Sequence, residues 1–521
     1  MQQAAMKQND GGVDVKGLTK VIAASSTGTL IEWYDFYVYG SLATILATKF
    51  FPASNPTTAF LATLGTMWVG FLVRPFGAVV FGRMGDMVGR KHTFLLTLGI
   101  MGVSTFAIGL TPEYKAIGFI APCIILLLRI LQGLAIGGEY GGAATYIAEH
   151  SPAHRRGYFT SFLQTTATLG LFVSLLVLLA TRTAVTEPVF NDWGWRIPFL
   201  LSAVLVVFSY LVRRKMAESP EFAKVKAEGR ISANPLVESF ANADNRRLVL
   251  IALFGVMTGQ AVVWYTAQFY AYYFLQKVLF ISGSATTMIT VGALALGTPF
   301  FIYFGSLSDK IGRKKIILAG CLLAAIAFVP IYSGMLRTTQ VEVDANAPLI
   351  AKRTTDPVTH VVTQESYSTR LEDGSQRTET TKAKDPKVGI VGGGKDEVST
   401  EVAPSLTMSL ELGALIWIQV VFAAMAYAPV AAFLVELFPV RLRYTSLSVP
   451  YHIGNGVFGG LVPLIGTFLV DKLHNKIAGV YYPIGIALLT FLIGALFIRE
   501  RATDEGFEET VPEEAPQEVT A

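Results

Sequence analysis

The sequence predicts an all-α membrane protein with twelve transmembrane helices arranged as two six-helix repeats. Composition, the number of long apolar segments and a twice-occurring loop pattern predict this fold. Of the 521 residues, 52% are hydrophobic and 15% are charged, whereas about a quarter of an ordinary soluble domain is charged. Twelve spans of roughly 20 residues each use roughly 240 residues. The chain therefore has room for twelve helices, short loops and one insertion.

The net charge and the cysteine content argue against two other classes of protein. A net charge of +4 spread over 521 residues provides no basic stripe, so we expect no nucleic-acid partner. Cys123 and Cys321 lie far apart in separate apolar runs, which does not predict a disulfide scaffold.

Twelve apolar segments are long enough to cross a bilayer as helices. Numbered in chain order, they cover residues 21–50, 58–83, 92–111, 117–148, 157–182, 195–212, 247–279, 285–308, 315–335, 408–438, 444–471 and 478–498. The polar stretch 1–20 lacks the apolar core of a signal peptide and is predicted to be a cytoplasmic N-terminal segment. The acidic tail, 499–521, is predicted to be a solvated end.

The distribution of lysine and arginine predicts the orientation in the membrane. The connections that follow the even-numbered segments, including the linker 216–246, hold most of the basic residues. Basic loops remain on the cytoplasmic side. Both termini are therefore expected in the cytoplasm, and the connection between segments 9 and 10 is expected outside.

A loop pattern that occurs in each half predicts the repeat. Glycine, aspartate, glycine and arginine recur with the same spacing in the loops that begin at Gly82 and Gly305. A second pair of loops begins at Glu149 and Glu436, with a longer separation. One insertion in the second half explains the longer separation. The sequence therefore predicts an N-terminal bundle, 21–215, and a C-terminal bundle, 247–498.

The insertion, residues 336–407, is rich in threonine and charged residues. Around Asp373 and Gly374 it alternates weakly and carries a two-residue hairpin signal, but its flanks are too polar for an isolated hairpin to be stable. The two interpretations are an external β-hairpin and a disordered loop.

These motifs resemble the signatures of a transporter family. The Gly-x-x-x-Asp-x-x-Gly-Arg-Lys loop in each half is similar to that of the major facilitator superfamily. The motifs that contain Asp35, Arg74 and Arg129 resemble its metabolite:proton symporter family. The resemblance implies the major facilitator fold, a bacterial cytoplasmic membrane, and proton-coupled uptake of small carboxylates or zwitterionic osmolytes. Uptake of a betaine or proline, and proton-independent exchange, remain as alternatives.

Charged side chains at membrane depth are costly and indicate candidate functional sites. The candidates in the first half are Glu32, Asp35, Arg74, Arg129, Gln132 and Glu139. The charged members of this set have no charged counterparts in the second half, which favours a functional role over a role in building the bundle. Buried ion pairs that only fix helix packing are the alternative.

Two roles are expected for these candidates. Asp35, Glu32 and Glu139 are candidate proton carriers, because a carboxyl group removed from water favours its neutral form. Arg74 and Arg129, with Gln132 on the same stripe as Arg129, are candidates for binding a carboxylate, since a guanidinium matches it with two parallel hydrogen bonds.

Segment 7 carries an aromatic face that is a further candidate for solute binding. Trp264, Gln268 and Tyr272 are spaced by four residues and share this face. Aromatic rings bind quaternary ammonium groups through cation–π attraction. Packing, or an interfacial position near the helix end, is the alternative.

The repeated loops are predicted to form a cytoplasmic gate that opens as the two halves rock. The gate candidates are Gly82, Asp86, Gly89, Arg90, Glu149, Asp309, Arg313 and Glu436. The alternative is that these loops only set the topology.

No catalytic centre, metal site or cofactor is expected. Residues 454–459 have the spacing of a dinucleotide-binding fingerprint, but they lie inside an apolar segment with no preceding strand. The predicted partners are a small solute, protons and the lipid bilayer, with a monomer as the functional unit.

Overall fold

The computed structural model describes residues 15–52, 56–88, 90–138, 140–213, 243–356, 361–383, 390, 397–438 and 443–498. Each predicted segment is helical, and we number the helices α1–α12. In the first half they are α1 (Val15–Ser41, Ala43–Phe50), α2 (Pro56–Leu72, Arg74–Val88), α3 (Arg90–Leu110), α4 (Ile120–Gly137, Tyr140–His150), α5 (Arg156–Val185) and α6 (Ile197–Arg213).

The second half has the same number of long helices. They are α7 (Ala243–Ala252, Leu253–Met257, Thr258–Tyr265, Thr266–Tyr270, Ala271–Lys277), α8 (Gly283–Gly297, Pro299–Ile311), α9 (Arg313–Thr338), α10 (Leu406–Tyr427, Val430–Leu437), α11 (Arg443–Ile453, Gly454–Gly459, Leu461–Leu473) and α12 (Tyr481–Phe497). Within the described ranges, ten helices are long and apolar enough to cross a membrane, and Leu95–Leu110 of α3 is a shorter apolar helix. The predicted fold class is confirmed.

Several helices are interrupted where functional candidates lie. α2 breaks before Arg74, which starts its second segment. α7 contains two π-helical turns, Leu253–Met257 and Thr266–Tyr270, and α11 contains a third, Gly454–Gly459. π-turns are rare and are frequent at functional sites, because each inserts a residue and turns the following side chains to a new direction.

The two halves meet along two helix pairs, α5 with α8 and α2 with α11. At one end of the bundle α5 approaches α8 through backbone. A Cβ atom added to Gly157 would lie 2.6 Å from the carbonyl oxygen of Gly305. Only glycine allows this approach. We call this end, which carries Asp309 and Arg313, the basic end.

The insertion forms a four-stranded antiparallel sheet in the order β1 (Ile350–Thr355), β2 (Val362–Arg370), β3 (Gln376–Lys382) and β4 (Glu397–Ala403). The expected hairpin lies between β2 and β3. The Leu371 amide donates to the Ser375 carbonyl at 2.8 Å, so the loop consists of the three residues 372–374 rather than two. The Gly374 amide donates to the Leu371 carbonyl at 2.9 Å, and Gly374 has φ of +86°, as in a type I turn closed by a left-handed residue. The expectation of a lone hairpin or a disordered loop is therefore corrected.

Docking on the helices helps this polar sheet to form. The Val402 amide of β4 donates to the Phe280 carbonyl at 2.7 Å, and the Ser282 amide donates to the Val402 carbonyl at 2.9 Å. β4 thus pairs with the connection between α7 and α8. At the hairpin, Ser405 Oγ donates to Asp373 at 2.9 Å, which ties the sheet to the start of α10. We call this end of the bundle the sheet end.

Candidate functional site

Arg74 lies at the centre of the bundle and is fully buried. Its guanidinium carbon lies 4.3 Å from the ring centre of Phe71, 4.5 Å from that of Phe36 and 5.2 Å from that of Trp33. All three guanidinium nitrogens lack a hydrogen-bond partner among the described residues. Aromatic faces attract a cation, but they do not replace the acceptors that the N–H groups have in water.

Arg129 of α4 also contacts the Phe36 ring, with its guanidinium carbon 4.0 Å from the ring centre. Its Nη1 donates to Gln132 Oε1 at 2.8 Å and to the Phe36 carbonyl at 3.3 Å. The Nε and Nη2 atoms have no partner within the described part of the chain. Arg74 and Arg129 therefore both lie beside the Phe36 ring with donors left over.

Gln132 forms hydrogen bonds to both Arg129 and α3. While its Oε1 accepts from Arg129, its Nε2 donates to Thr105 Oγ1 at 2.7 Å. Thr105 Oγ1 is also 3.4 Å from the Asp35 carbonyl oxygen. The side chain predicted to bind solute is thus occupied on both sides and holds the Arg129 guanidinium in place.

Asp35 is fully buried on α1 and its carboxylate faces α6. Ser202 Oγ donates to Asp35 Oδ1 at 2.6 Å, whereas Oδ2 has no partner among the described residues. Glu32 is also buried. Glu139 lies outside the described residues. Among the described residues, no ion pair joins Asp35 to Arg74 or Arg129.

The aromatic face of α7 crosses from the second half to the first. Trp264 Nε1 and Gln268 Nε2 approach the same hydroxyl, Thr168 of α5, at 3.3 and 3.1 Å. Tyr272 donates to the Ser41 carbonyl of α1 at 3.3 Å. The three residues therefore contact the opposite half, as a shared face predicts, and Gln268 Oε1 keeps no partner within the described ranges.

A stack of rings connects this face to the arginines. The Tyr37 ring lies 5.0 Å from the Trp33 ring and 5.6 Å from the Trp264 ring, both in stacked geometry. Since Trp33 also contacts Arg74, aromatic side chains of both halves and an arginine meet in one buried region.

Sequence reasoning missed several buried polar residues of this region. His452 of α11 is fully buried, and neither ring nitrogen has a partner among the described residues. Gln260 of α7 is likewise buried with both side-chain polar atoms unpartnered there. A histidine in an apolar segment is a signal that could have identified His452.

Three of the predicted gate residues come together at the basic end. Asp309 Oδ1 and Oδ2 accept from the backbone amides of Gly157 and Tyr158 on α5, both at 2.8 Å. Arg313 binds Asp309 at 2.6 Å and Glu436 at 3.2 Å. The two bonds that Asp309 accepts join the second half to the N-terminus of α5. The partial positive charge of this helix end favours a carboxylate.

A fourth residue, Arg156, extends this cluster, because its Nη1 lies 3.4 Å from Glu436 Oε1. The remaining gate predictions are not described at the level of side chains. Gly89 lies outside the described residues, and the surroundings of Gly82, Asp86, Arg90 and Glu149 are not part of what the structure describes. We call Asp309, Arg313, Glu436 and Arg156 the basic-end cluster.

The sheet end also carries contacts between the halves. Glu187, which follows α5, pairs with Arg182 and accepts from Ser284 Oγ of α8 at 3.3 Å. Glu401 of β4 lies nearby. Burial and then the Glu187 carboxylate raise the pKa of Glu401, while Arg182 opposes this shift. Contacts at both ends enclose the central region.

Comparison with known proteins gives consistent matches. The family model "sugar (and other) transporter" matches residues 20–235. A putative proline/betaine transporter of Staphylococcus aureus is 31% identical, over 94% of this chain and 90% of that protein. The citrate-proton symporter of Klebsiella pneumoniae is 28% identical, over 95% and 94%.

The solved structures include the xylose transporter XylE from E. coli in a partially occluded inward-open conformation. It aligns with a TM-score of 0.63 at 16% identity, over 93% of this chain and 98% of that one. At this identity the likeness shows the fold.

Proposed function

Because the chain belongs to the major facilitator superfamily and is a multi-pass membrane transporter, we propose that it imports a small carboxylate-bearing solute together with protons. Members of this family are transporters and not enzymes. Its relatives are bacterial, and we place it in the cytoplasmic membrane with both termini inside. The candidate site lies within one chain, so the monomer is the functional unit.

One observation carries the choice of solute: Arg74 is a fully buried cation whose guanidinium nitrogens find no partner among the described side chains. An unpaired buried charge costs several kcal/mol. A solute carboxylate supplies two acceptor oxygens in the plane that a guanidinium fork requires. Arg129, held by Gln132 beside Phe36, offers two further N–H bearing atoms to the same carboxylate.

Asp35 is the proposed proton carrier. It is fully buried, it is not paired with either arginine, and one carboxyl oxygen is left open among its described surroundings. Such a group can gain and lose a proton without breaking an ion pair. Hydrogen bonds through Thr105 and Gln132 connect the Asp35 backbone to Arg129. A movement of Asp35 on protonation can thereby shift the guanidinium that binds the solute.

The basic-end cluster is the proposed gate. The bonds from Asp309 to the Gly157 and Tyr158 amides and from Glu436 to Arg156 join the halves, so rocking of one half against the other breaks them. A few kcal/mol distributed over such contacts is enough to set which conformation dominates.

A zwitterion such as a betaine or proline is the second candidate. The stacked rings of Trp33, Tyr37 and Trp264 present the aromatic faces that attract a quaternary ammonium, beside arginines for the carboxylate. Relatives named as proline/betaine transporters support this candidate.

Proteoliposome uptake of succinate, citrate, proline and glycine betaine, with and without an imposed pH gradient, tests the proposal. We expect Arg129→Lys to weaken binding of the best acid by about 1.5–3 kcal/mol, which is about 10- to 150-fold in Kd. Arg74→Lys should act similarly, and the exposed Arg337→Lys is the matched control. Unchanged affinity in both site variants, or accumulation without a proton gradient, contradicts the proposal.

A further inference from the structure

We infer that His452 binds the end of the solute opposite to its Arg74-bound carboxylate, so that the site selects acids with a second hydrogen-bonding group. This inference rests on the proposed function and deepens it. The imidazole would come from the second half and the guanidinium from the first, with the solute between them.

The packing of α11 places His452 toward Arg74. Gly456 lies one turn after His452 and shares its face. A Cβ atom added to Gly456 would lie 2.5 Å from the Phe71 carbonyl oxygen and 3.9 Å from Arg74 Cδ. This face of α11 therefore packs directly against α2 at the arginine.

The protein groups next to His452 are already engaged. Tyr451 contacts the imidazole edge-to-face and shares a 2.6 Å hydrogen bond with the Tyr427 hydroxyl. Asn455 Nδ2 donates to the Tyr451 carbonyl at 3.1 Å. Both imidazole nitrogens, however, have no partner among the described residues, and the ring is fully buried.

A buried polar group without a partner is costly and requires an explanation. Two such groups, Arg74 and His452, lie on facing helices of opposite halves, and one ligand that reaches both satisfies both. This arrangement points to a ligand that bridges the halves rather than to one bound within a single half.

The chemistry of imidazole narrows the class of solute. A neutral imidazole offers one N–H donor and one nitrogen acceptor. A carboxylate or hydroxyl at the far end of the solute pairs with it. A quaternary ammonium has neither an N–H to donate nor a lone pair to accept, so it leaves the imidazole unpaired. The class assigned is a dicarboxylate or a hydroxycarboxylate.

Succinate and butyrate make the test, because they share a four-carbon skeleton and differ in the second carboxylate. Binding of each is measured by calorimetry on the full-length protein in nanodiscs. The parent should bind succinate about tenfold more tightly than butyrate, the effect of one hydrogen bond. In His452→Phe this ratio should fall to about one, with butyrate affinity kept. His92→Phe, at an exposed histidine, should retain the parental ratio.

The outcomes distinguish a failure of the proposed function from a failure of the role of His452. Binding of neither acid by the parent overturns the proposed function. Binding of both with an unchanged ratio in His452→Phe overturns the role of His452 alone, as does a parental preference for glycine betaine over succinate. If His452→Phe misfolds by its melting temperature, His452→Ala decides by the same ratio.

Glu139, which lies in the sequence between the two segments of α4, provides a further control because it is a candidate proton carrier. If Glu139→Gln lowers the ratio as much as His452→Phe does, and the double variant adds nothing, the imidazole serves Glu139 rather than the solute. Additive effects support direct binding by His452.

Discussion

Asp309→Asn should shift the protein from conformations closed at the basic end to conformations open there, without unfolding it. Asp309 is the residue of the second half that accepts from Gly157 and Tyr158 of the first, each at 2.8 Å. Asparagine retains one acceptor oxygen and turns an NH₂ group toward the other amide. One of the two bonds is therefore lost, and the other becomes a neutral one.

The size of the shift follows from these bonds. A hydrogen bond to a charged group contributes about 1.5–3 kcal/mol, and a neutral one about 1 kcal/mol. The Asp309–Arg313 pair lies within one half, so it is present in both conformations and largely cancels. The expected loss is about 2–5 kcal/mol of closed-state stability, a change of about 30- to 4,000-fold in the closed-to-open ratio.

Spin labels at Ala153 and Lys310, both exposed at this end, report the opening by electron–electron distance measurements. The labelled protein carries Cys123→Ser, since Cys123 is exposed and Cys321 is buried. The variant should add a long-distance population that the parent lacks. Asp471→Asn, at an exposed aspartate on α11, is the control. An unchanged distance distribution in Asp309→Asn would refute the gate.

Three further outcomes are expected. Asp35→Asn should abolish accumulation driven by a pH gradient and preserve counterflow exchange in proteoliposomes; surviving accumulation would remove Asp35 from the proton route. Lys352→Cys, on the exposed edge strand β1, should react with an impermeant thiol reagent in intact spheroplasts, and protection until lysis would reverse the topology. Because the pKa of Glu401 is raised, docking of β4 should weaken as pH rises through that pKa and charges the carboxyl beside Glu187. Hydrogen exchange at the Val402 amide should then rise beyond its intrinsic pH dependence, and Glu401→Gln should remove the excess; an identical excess in that variant would exclude Glu401.

The helices could be predicted from the sequence, because each crosses the membrane as one long apolar segment. Such a segment is a local property of the sequence. The repeated loop at Gly82 and Gly305 predicted the two halves by simple counting. The π-turns could not be predicted, because α7 is buried on all faces around Thr266–Tyr270, so its sequence lacks a clear apolar periodicity that an inserted residue would shift. The four-stranded sheet was missed for a related reason: its strands are polar, and its pairing partner, Phe280–Ser282, lies about a hundred residues earlier in the chain.

The candidate site was predicted in part. Arginines are readily identified in apolar segments, and the structure brings Arg74 and Arg129 to the same ring, that of Phe36. That Gln132 would hold Arg129, rather than face a solute, depends on the position of Thr105 on another helix. His452 was not predicted, because the sequence does not show whether a histidine has a hydrogen-bond partner. In the structure, its burial and its two unpartnered nitrogens among the described residues identify it.

At the basic end, the two halves differ in their tolerance to mutation because of the groups that bind Asp309. The first half contributes main-chain N–H groups at Gly157 and Tyr158, and replacing a side chain does not remove a main-chain donor. The second half contributes side chains, each of which one codon change deletes. Heritable changes that loosen this end should therefore accumulate in α8 and α9, at the end of α10 and at Arg156 of α5, whose side chain pairs with Glu436. Tyr158 tolerates replacements other than proline, which lacks the N–H, whereas at Gly157 any Cβ meets the Gly305 carbonyl.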